Sequence, residues 1–520
     1  MNFLSLNEDV LIYILSLISP KDAKNLGMTC RDSYAITMPR FLSSVALNPF
    51  PSYPVAWRAI HDRFKPSGLA RARLFCNFML ADVEHRAPCL KELVLSPSAF
   101  LQSFSTDPEI GFESFWVGYS SMNSSDYFCG ADFAKVLCHA TRLKKIRIEY
   151  PEFIFATFPC ILDALAALTS LEIIDLYYFG QNSLDLLQRM ASRPQKLELL
   201  TEGQDTPYDE AYLRNFMPSL QVLRLSGCAE MLESYDADAR WPLVHSLTLS
   251  GSTQRLSMST LVRAFPSLRF VYFNCNLLED MQQSACWSNL DHVELDSFVP
   301  LSFTVRRLCF RSGLMRPLLS WEGAPDALAQ VASLIKRTSP VVLTFFLPLY
   351  RREIGQICDA LSGVRYLQVV VKRHVINSYG YEIEAWIITS IALFAKQPLL
   401  GICFCVDAPF ATSGPRKYCP LDPPRLQKLA ESIAIIIPSL QYAGLDLTGG
   451  TDEYTTTWFR VVSRGPFLEE SPRVQRLTQE EGLVIEEQLL NLDLRIYDAY
   501  GSSPDLRQFT SDSPLLYLSI

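Results

Sequence analysis

The segment PSLQVLRL at residues 218–225 is followed by PLVHSLTL at 242–249 and by PSLRFVYF at 266–273. The three segments start 24 residues apart, and Pro194 places a fourth proline at the same interval. Each segment has apolar residues at its third, sixth and eighth positions, which is typical of a short strand with one buried face. A constant period of this length predicts an array of repeating structural units.

The same L-x-x-L-x-L pattern occurs on both sides of the regular part of the chain. It starts at Leu90, Leu143, Leu171 and Leu290, and more loosely at Val305, Pro340, Val364, Leu399, Leu440 and Leu515. The pattern resembles leucine-rich repeats. That resemblance implies an α/β fold over residues 89–520, an irregular solenoid with parallel strands on its concave face and helices outside. Because the chain ends inside a repeat, we expect no separate C-terminal cap.

A polar position follows the strand in leucine-rich repeats, and two units carry it. Asn276 occupies it in one unit and Cys228 in another. The position requires a small buried polar group, or a compact thiol that fills the same space where the backbone leaves the strand. Amphipathic stretches at 133–140, 229–237 and 257–265 predict outer helices. Four segments interrupt the repeat pattern, at 100–130, 201–210, 408–424 and 465–482. We interpret each either as a binding loop or as a disordered insertion.

The first 45 residues follow a different pattern. Apolar residues recur at helical spacing, at Leu6, Val10, Leu11, Ile14, Leu15 and Ile18. We expect Asn7 to cap this helix and Pro20 to begin a second one, with a third after Cys30. Three short helices make a small core that often needs a partner for stability. The alternative interpretation is a helical cap for the repeat array.

These residues resemble an F-box. The resemblance is carried by Glu8, Leu11, Ile14, Ile18, Pro20, Asp22, Leu26, Cys30 and Arg31. Asn7 stands where proline is usual, and Tyr34 lies near a common tryptophan position. The resemblance implies an F-box over residues 1–45 that binds a Skp-type adaptor through Leu6, Asn7, Val10, Leu11, Ile14, Leu26, Thr29 and Cys30. Residues 46–88 are expected to form a helical linker with a core of Trp57, Ile60, Phe64, Leu69, Leu74 and Phe78.

An F-box joined to repeats implies the substrate-recruiting subunit of a Skp–cullin–F-box ubiquitin ligase. In each strand, the residue between the two leucines points away from the core. These residues form a polar row across the sheet, which we call the ladder, and its tyrosine and arginine side chains favour binding of a target protein. Its expected members are Arg147, Asp175, Tyr177, Arg224, Thr248, Tyr272, Asn274 and Glu294. The alternatives are a polar face without a target, a non-ligase scaffold with a divergent F-box, and a hydrolase or transferase hidden in residues 300–520.

Composition and sequence motifs argue against nucleic-acid binding, metal or cofactor binding, and catalysis. With 49% apolar and 20% charged residues the chain is typical of a globular protein, and a net charge of −8 argues against nucleic acid as a partner. Neither a CxxC pair nor two histidines within five positions occur, so no cofactor or metal is expected. The sequence contains no recognisable catalytic motif, so we do not expect an enzyme.

Cellular location and charge clusters complete the expectations. Lys396, Gln397 and Pro398 interrupt the longest apolar stretch, so we expect no membrane span and a cytoplasmic or nuclear location. Basic clusters such as residues 142–147 are interpreted as solvated faces rather than phosphate sites.

Overall fold

The fold is taken from a computed structural model. It describes residues 6–47, 68–100, 130–201, 211–232, 239–251, 256–275, 277, 286–288, 290–299, 301, 303–311, 324–346, 355, 357–372, 383–407, 422–447, 456–463 and 472–492. These residues form two compact units of mixed α/β structure. The first unit runs to Leu268, and the second contains Arg269–Asn274 and the described residues from Cys286 onward.

The first unit begins with three short helices, α1 (Glu8–Leu17), α2 (Pro20–Gly27) and α3 (Arg31–Phe41). Side chains of the residues before each helix cap its free backbone amides. Asn7 Oδ1 accepts from the Asp9 amide at 3.0 Å, Ser19 Oγ from Asp22 at 3.1 Å and Cys30 Sγ from Ser33 at 3.4 Å. The predicted three helices, with Asn7 as a cap and Pro20 at the start of α2, are therefore confirmed.

Seven parallel strands follow in chain order within the first unit. They are β1 (Ser44–Leu47), β2 (Glu92–Leu95), β3 (Lys145–Glu149), β4 (Ile173–Tyr177), β5 (Lys196–Leu200), β6 (Val222–Ser226) and β7 (Ser246–Ser250). Each strand pairs in parallel with the next one. The sheet thus begins at Ser44, directly after α3 and before the expected linker.

Helices occupy the connections between these strands. They are α4 (Gly68–Leu80), α5 (Val83–Arg86), α6 (Gly130–His139), α7 (Pro151–Thr157), α8 (Pro159–Ala167), α9 (Gln181–Arg189), α10 (Ala211–Arg214) and α11 (Met258–Ala264), with 3-10 turns at Ala87–Cys89, Pro97–Phe100 and Ala229–Leu232. The helices predicted at 133–140 and 257–265 are confirmed. Of the third predicted helix, Ala229–Leu232 form a 3-10 turn, and 233–237 lie outside the described residues.

The expected linker core is only partly correct. Leu74 is 65% exposed, because α4 turns Ala72, Cys76 and Met79 inward instead. Phe78 is half-buried against a cluster that contains Leu42, Met79 and Ala87. Three further members, Trp57, Ile60 and Phe64, and the side chain of Leu69 lie outside the described residues.

The core of the first unit lies beneath the strand leucines. Leucines at the predicted positions of β6 and β7 are fully buried, and the residues between them are half-exposed. Cys228 is buried as predicted, and its thiol donates to the Leu199 carbonyl at 3.7 Å. Gly227 has a φ of 75°, and a Cβ there would lie 2.1 Å from the Thr201 carbonyl oxygen, so the turn after β6 requires glycine. Asn276 lies outside the described residues.

The described residues of the second unit form nine strands. The first seven are parallel: β8 (Phe270–Asn274), β9 (His292–Leu295), β10 (Arg307–Phe310), β11 (Val342–Phe346), β12 (Tyr366–Lys372), β13 (Gly401–Asp407) and β14 (Tyr442–Asp446). β15 (Thr457–Ser463) and β16 (Arg473–Arg476) then pair antiparallel. Its helices are α12 (Ala324–Thr338), α13 (Ile383–Ile391), α14 (Pro423–Ile436) and α15 (Gln479–Leu490), with a 3-10 turn at Ala392–Phe394.

Among the described residues, the parallel series ends at β14. The β15–β16 hairpin and α15 follow it, and the short edge strand β16 begins and ends with arginine, which discourages further strand pairing. The repeat expected at Leu515 lies outside the described residues. So do 101–129, 202–210 and 408–421, which make up most of three predicted interruptions. Among the helices described here, none is long and apolar enough to cross a membrane.

Candidate protein-interaction surfaces

Helix α1 has more apolar surface than its own unit buries. Leu11 and Leu15 face inward and are each 5% exposed. Val10, Tyr13 and Leu17 are 45%, 64% and 69% exposed. At about 100° per residue these three lie on one side of the helix, roughly opposite the buried face formed by Leu11 and Leu15. We call Val10, Tyr13 and Leu17 the α1 stripe.

The eight expected adaptor-binding residues differ in their exposure to solvent. Asn7, Val10, Thr29 and Cys30 are exposed, and Leu6, Ile14 and Leu26 are half-buried. Leu11 supports the helix from within, so a partner reaches its neighbours rather than its side chain. Tyr13 and Leu17 were not among the expected residues, although their positions three and seven residues after Val10 were a usable signal of one helix face.

The three helices hold the α1 stripe on a fixed support. The Arg40 guanidinium on α3 donates two hydrogen bonds, at 2.9 and 2.8 Å, to the Ile18 carbonyl at the end of α1. A Cβ on Gly27 would lie 2.5 Å from Thr37 Oγ1, so glycine allows α2 and α3 to approach closely. The hydrogen bonds from Ser33 lower the pKa of the Cys30 thiol at the start of α3.

A second surface is the exposed side of the strands in the first unit. Arg147 on β3 lies opposite Asp175 on β4, Asp175 opposite Glu198 on β5, and Glu198 opposite Arg224 on β6. Thr248 on β7 follows Arg224 in the same row. The predicted ladder residues of this unit are therefore in register across the sheet, and β5 adds Glu198, which the sequence analysis had not included.

Glu198 is the centre of this row. Tyr177 Oη donates to its Oε1 at 2.9 Å, and Lys196 Nζ and Arg224 Nη1 lie 3.2 and 3.3 Å from its Oε2. Burial alone would raise the pKa of Glu198, but these partners hold the pKa below its ordinary value. The Arg147 guanidinium lies 4.4 Å from the centre of the Tyr177 ring. The ladder is therefore a connected polar network.

Asp175 differs from the other members of the ladder. Its side chain is buried, and burial raises the pKa of its carboxyl group, although Lys196 Nζ lies 3.9 Å away. A buried carboxylate contributes little contact area to a partner. Asp175 therefore affects the ladder mainly through the electrostatic effect of its carboxyl group on the neighbouring charged side chains. Its burial was not evident from its position in the sequence.

The second unit carries the remaining expected residues on β8 and β9. Tyr272 lies opposite Glu294, and Asn274 follows on the same side of β8. Tyr272 Oη donates to Asp296 Oδ2 at 3.3 Å, and burial with the Asp296 charge raises the pKa of Tyr272 to about 12. Arg311 donates to Glu294 Oε2 at 3.0 and 2.6 Å. Arg311 is a further member that the sequence pattern did not predict.

His292 lies beside this group and is uncharged at neutral pH. Burial and the nearby Arg307 guanidinium lower the pKa of His292 to about 3. Its ring meets Phe270 edge-on, with the ring centres 4.9 Å apart. Within the described parts of the chain, no three His, Cys, Asp or Glu side chains lie together as a metal site.

Farther along the second unit the same side of the strands is covered. Tyr366, Cys403 and Tyr442 pack with Ile485 and Leu489 of α15 and with Trp458, Leu477 and Leu492. Arg306 donates to the carbonyls of Leu490 and Leu492, at 2.5 and 3.3 Å, and so holds the end of α15. The open ladder surface of this unit is therefore limited to its first strands.

Comparisons with protein-family models and with curated proteins found no match to this chain.

Proposed function

We propose that this chain is the substrate-recruiting subunit of a Skp–cullin–F-box ubiquitin ligase. In this proposal α1 to α3 form the F-box and bind the Skp-type adaptor. The strands and helices that follow are a leucine-rich-repeat solenoid whose exposed strand face binds a target protein.

The observation that carries the proposal is the α1 stripe. Val10, Tyr13 and Leu17 are exposed on a helix whose opposite face already fills the core of its own unit. An exposed apolar surface of this kind is typical of a protein-interaction site. It lies in the part of the sequence that resembles an F-box, where that resemblance implies adaptor binding.

The parallel strands supply the second half of the proposal. Their leucine pattern, with a 24-residue interval from β6 to β8, resembles leucine-rich repeats, and the helices in the connections agree with that architecture. The ladder offers tyrosine and arginine, which are enriched where proteins bind one another. Such residues suit a target protein better than a small apolar ligand.

The mechanism is positional. An adaptor held on α1 and a target held on the strand face are parts of one assembly, so the target stays at a high effective concentration near the conjugating enzyme. The transfer chemistry then belongs to the other subunits, and this chain contributes orientation.

The test is a pull-down of the full chain with a Skp-type adaptor and a cullin. In Val10→Asp/Leu17→Asp, two carboxylates would be buried against the adaptor without partners, and we expect binding to fall below detection. The matched control is Ile12→Asp. Ile12 is 57% exposed and lies about 160° around α1 from Val10, so its change should leave binding intact.

Each result has a defined meaning. Loss of binding in the double variant alone, with circular dichroism unchanged, supports the F-box assignment. Adaptor binding without cullin would favour the alternative, a non-ligase scaffold, and the cap formed by Asn7 in place of proline is the feature that supports it. No adaptor binding by the wild type would contradict the proposal and leave α1 to α3 as a cap on the sheet.

A further inference from the structure

A cavity of about 540 Å³, wide open to solvent and lined mostly by exposed side chains, lies at the strand-entry edge of the first unit. Its charged lining comes from Lys91, Arg142, Lys144, Glu172 and Arg193. Thr141 and Thr169 add hydroxyl groups to the wall. None of these residues belongs to the ladder or to the α1 stripe.

The sheet itself brings the cavity residues together. The amides of Lys144 and Lys145 both donate to the Lys91 carbonyl, at 2.8 and 3.0 Å. The amides of Glu172 and Ile173 donate to the Lys144 carbonyl in the same way, at 2.7 and 2.9 Å. Lys91, Lys144 and Glu172 therefore stand in one row, one residue before β2, β3 and β4, at the spacing of neighbouring strands.

Positive charge in this cavity exceeds what the protein neutralises. Glu172 is the one carboxylate in the lining, and its Oε1 lies 2.7 Å from Lys144 Nζ. Within the described residues Lys91, Arg142 and Arg193 form no ion pair. The hydrogen bonds that Arg193 donates within the described residues go to the carbonyls of Met190 and Ser192, at 3.5 and 3.4 Å. This excess stands out in a chain with a net charge of −8.

We propose that this cavity binds a small ligand that carries two or more phosphate groups. Three unneutralised cations would repel one another at this edge, and an anion relieves that repulsion. Guanidinium and ammonium groups form their strongest hydrogen bonds with phosphate oxygens, and threonine hydroxyls add neutral donors. The volume lies within the range typical of small-ligand sites and exceeds what one phosphate group fills.

Isothermal titration of the full chain in 150 mM NaCl tests this proposal. The probes are sodium tripolyphosphate, pyrophosphate, inorganic phosphate and sulfate. We expect one saturable site, with tripolyphosphate binding tightest and phosphate and sulfate weakest, because affinity should follow the number of phosphate groups that reach the cations.

Paired variants locate the site. Lys91→Ala/Arg142→Ala removes two of the three free cations, and we expect tripolyphosphate to bind at least about tenfold more weakly. The matched control is Arg240→Ala/Arg263→Ala, which removes two exposed arginines of the same unit from outside the cavity. Its affinity should stay within about twofold of the wild type. Unchanged near-UV circular dichroism establishes that both variants are folded.

Three outcomes would overturn the assignment. The first is no saturable binding with millimolar tripolyphosphate. The second is an equal loss in both paired variants, which would assign the effect to net charge. The third is a doubly phosphorylated peptide that binds through Lys91 and Arg142 while tripolyphosphate does not, which would make this edge a peptide site.

Discussion

The carboxylate of Glu152, at the start of α7, accepts four hydrogen bonds from the start of α9. Oε1 accepts from the Gly180 and Ser183 amides and from Ser183 Oγ, at 2.8, 2.9 and 2.6 Å. Oε2 accepts from the Asn182 amide at 2.9 Å. The first amides of a helix lack partners within it, and a negative charge there is favourable. One side chain thus joins the connection after β3 to the connection after β4.

Replacing Glu152 should therefore destabilise the first unit. We expect Glu152→Ala to lower the free energy of unfolding by about 2–4 kcal/mol, because three amides lose a charged partner. Glu152→Gln keeps one acceptor oxygen and should cost roughly half as much. Urea unfolding followed by circular dichroism measures both changes.

The control for Glu152 is Asp163→Ala. Asp163 forms an ion pair with Arg189, and its side chain is 62% exposed. Its removal should cost less than about 0.5 kcal/mol, as is usual for surface ion pairs. Equal losses in Asp163→Ala and Glu152→Ala would contradict the capping role.

Local residue roles were predictable from the sequence, and distant ones were not. The Asn7 cap involves an amide only two residues away, and the burial of Cys228 follows from its place in the repeat. Glu152 contacts residues 28 to 31 positions later, and no spacing in the sequence announces that pairing. Glu198 was missed as a ladder member because its strand, β5, was not among those predicted.

Among the secondary-structure elements, α15 departs most from a repeat. It begins with a capping box, in which the Thr478 amide donates to Glu481 Oε2 at 2.8 Å and the Glu481 amide to Thr478 Oγ1 at 3.2 Å. The hydrogen bonds from Thr478 lower the pKa of Glu481. Leu489 then packs against Gly401, where a Cβ would lie 2.7 Å from Leu489 Cδ1. The helix therefore fits closely onto β13.

We expect Leu489→Ala to loosen this contact. Leu489 is fully buried, and removing its side chain should cost about 2–4 kcal/mol through lost burial and the cavity left behind. The backbone amides of β12 and β13 should exchange their hydrogens faster, because α15 covers one face of these strands. The measurement is mass spectrometry of peptides from 366–372 and 401–407.

Leu483→Ala on the same helix is the control, because Leu483 is 59% exposed. It should leave the exchange of β12 and β13 unchanged. Equal exchange in Leu489→Ala and the wild type would show that α15 does not protect these strands.

The strands were predictable where their three apolar positions hold aliphatic or aromatic residues. The register pairs Lys196 of β5 with Val222 of β6, 26 residues later, so Pro194 takes the position of Leu220 rather than that of Pro218. Pro194 is buried there in place of leucine, so the pattern before β5 was incomplete. The β15–β16 hairpin is antiparallel and follows no repeat, so periodicity could not reveal it. The Thr478-x-x-Glu481 signature was visible in the sequence, but it lay in a segment interpreted as a charged interruption.

At the scale of the whole molecule, the resemblance to leucine-rich repeats implied a mixed α/β fold, which the described residues have. The division into two units was not predictable, because repeated sequence continues across residues 266–273, where the second unit begins. The basic cavity was not predictable either. In the sequence, residues 142–147 look like a solvated cluster, because Lys91 before β2 and Arg193 before β5, which also line the cavity, are about 50 positions away. The adaptor, the cullin and the target remain predictions.

Net charge gives a last prediction, which concerns the molecule as a whole. A chain of net charge −8 repels a long polyanion, and exposed charges are screened beyond about 8 Å at 150 mM salt. The basic cavity is local, so it should hold a small polyphosphate without recruiting nucleic acid. Fluorescence anisotropy with a labelled single-stranded 20-nucleotide DNA should show no saturable binding at micromolar protein. Binding that weakens steeply with salt would contradict this, since that slope counts the phosphates neutralised. Its persistence in Lys91→Ala/Arg142→Ala would place the contact elsewhere on the molecule.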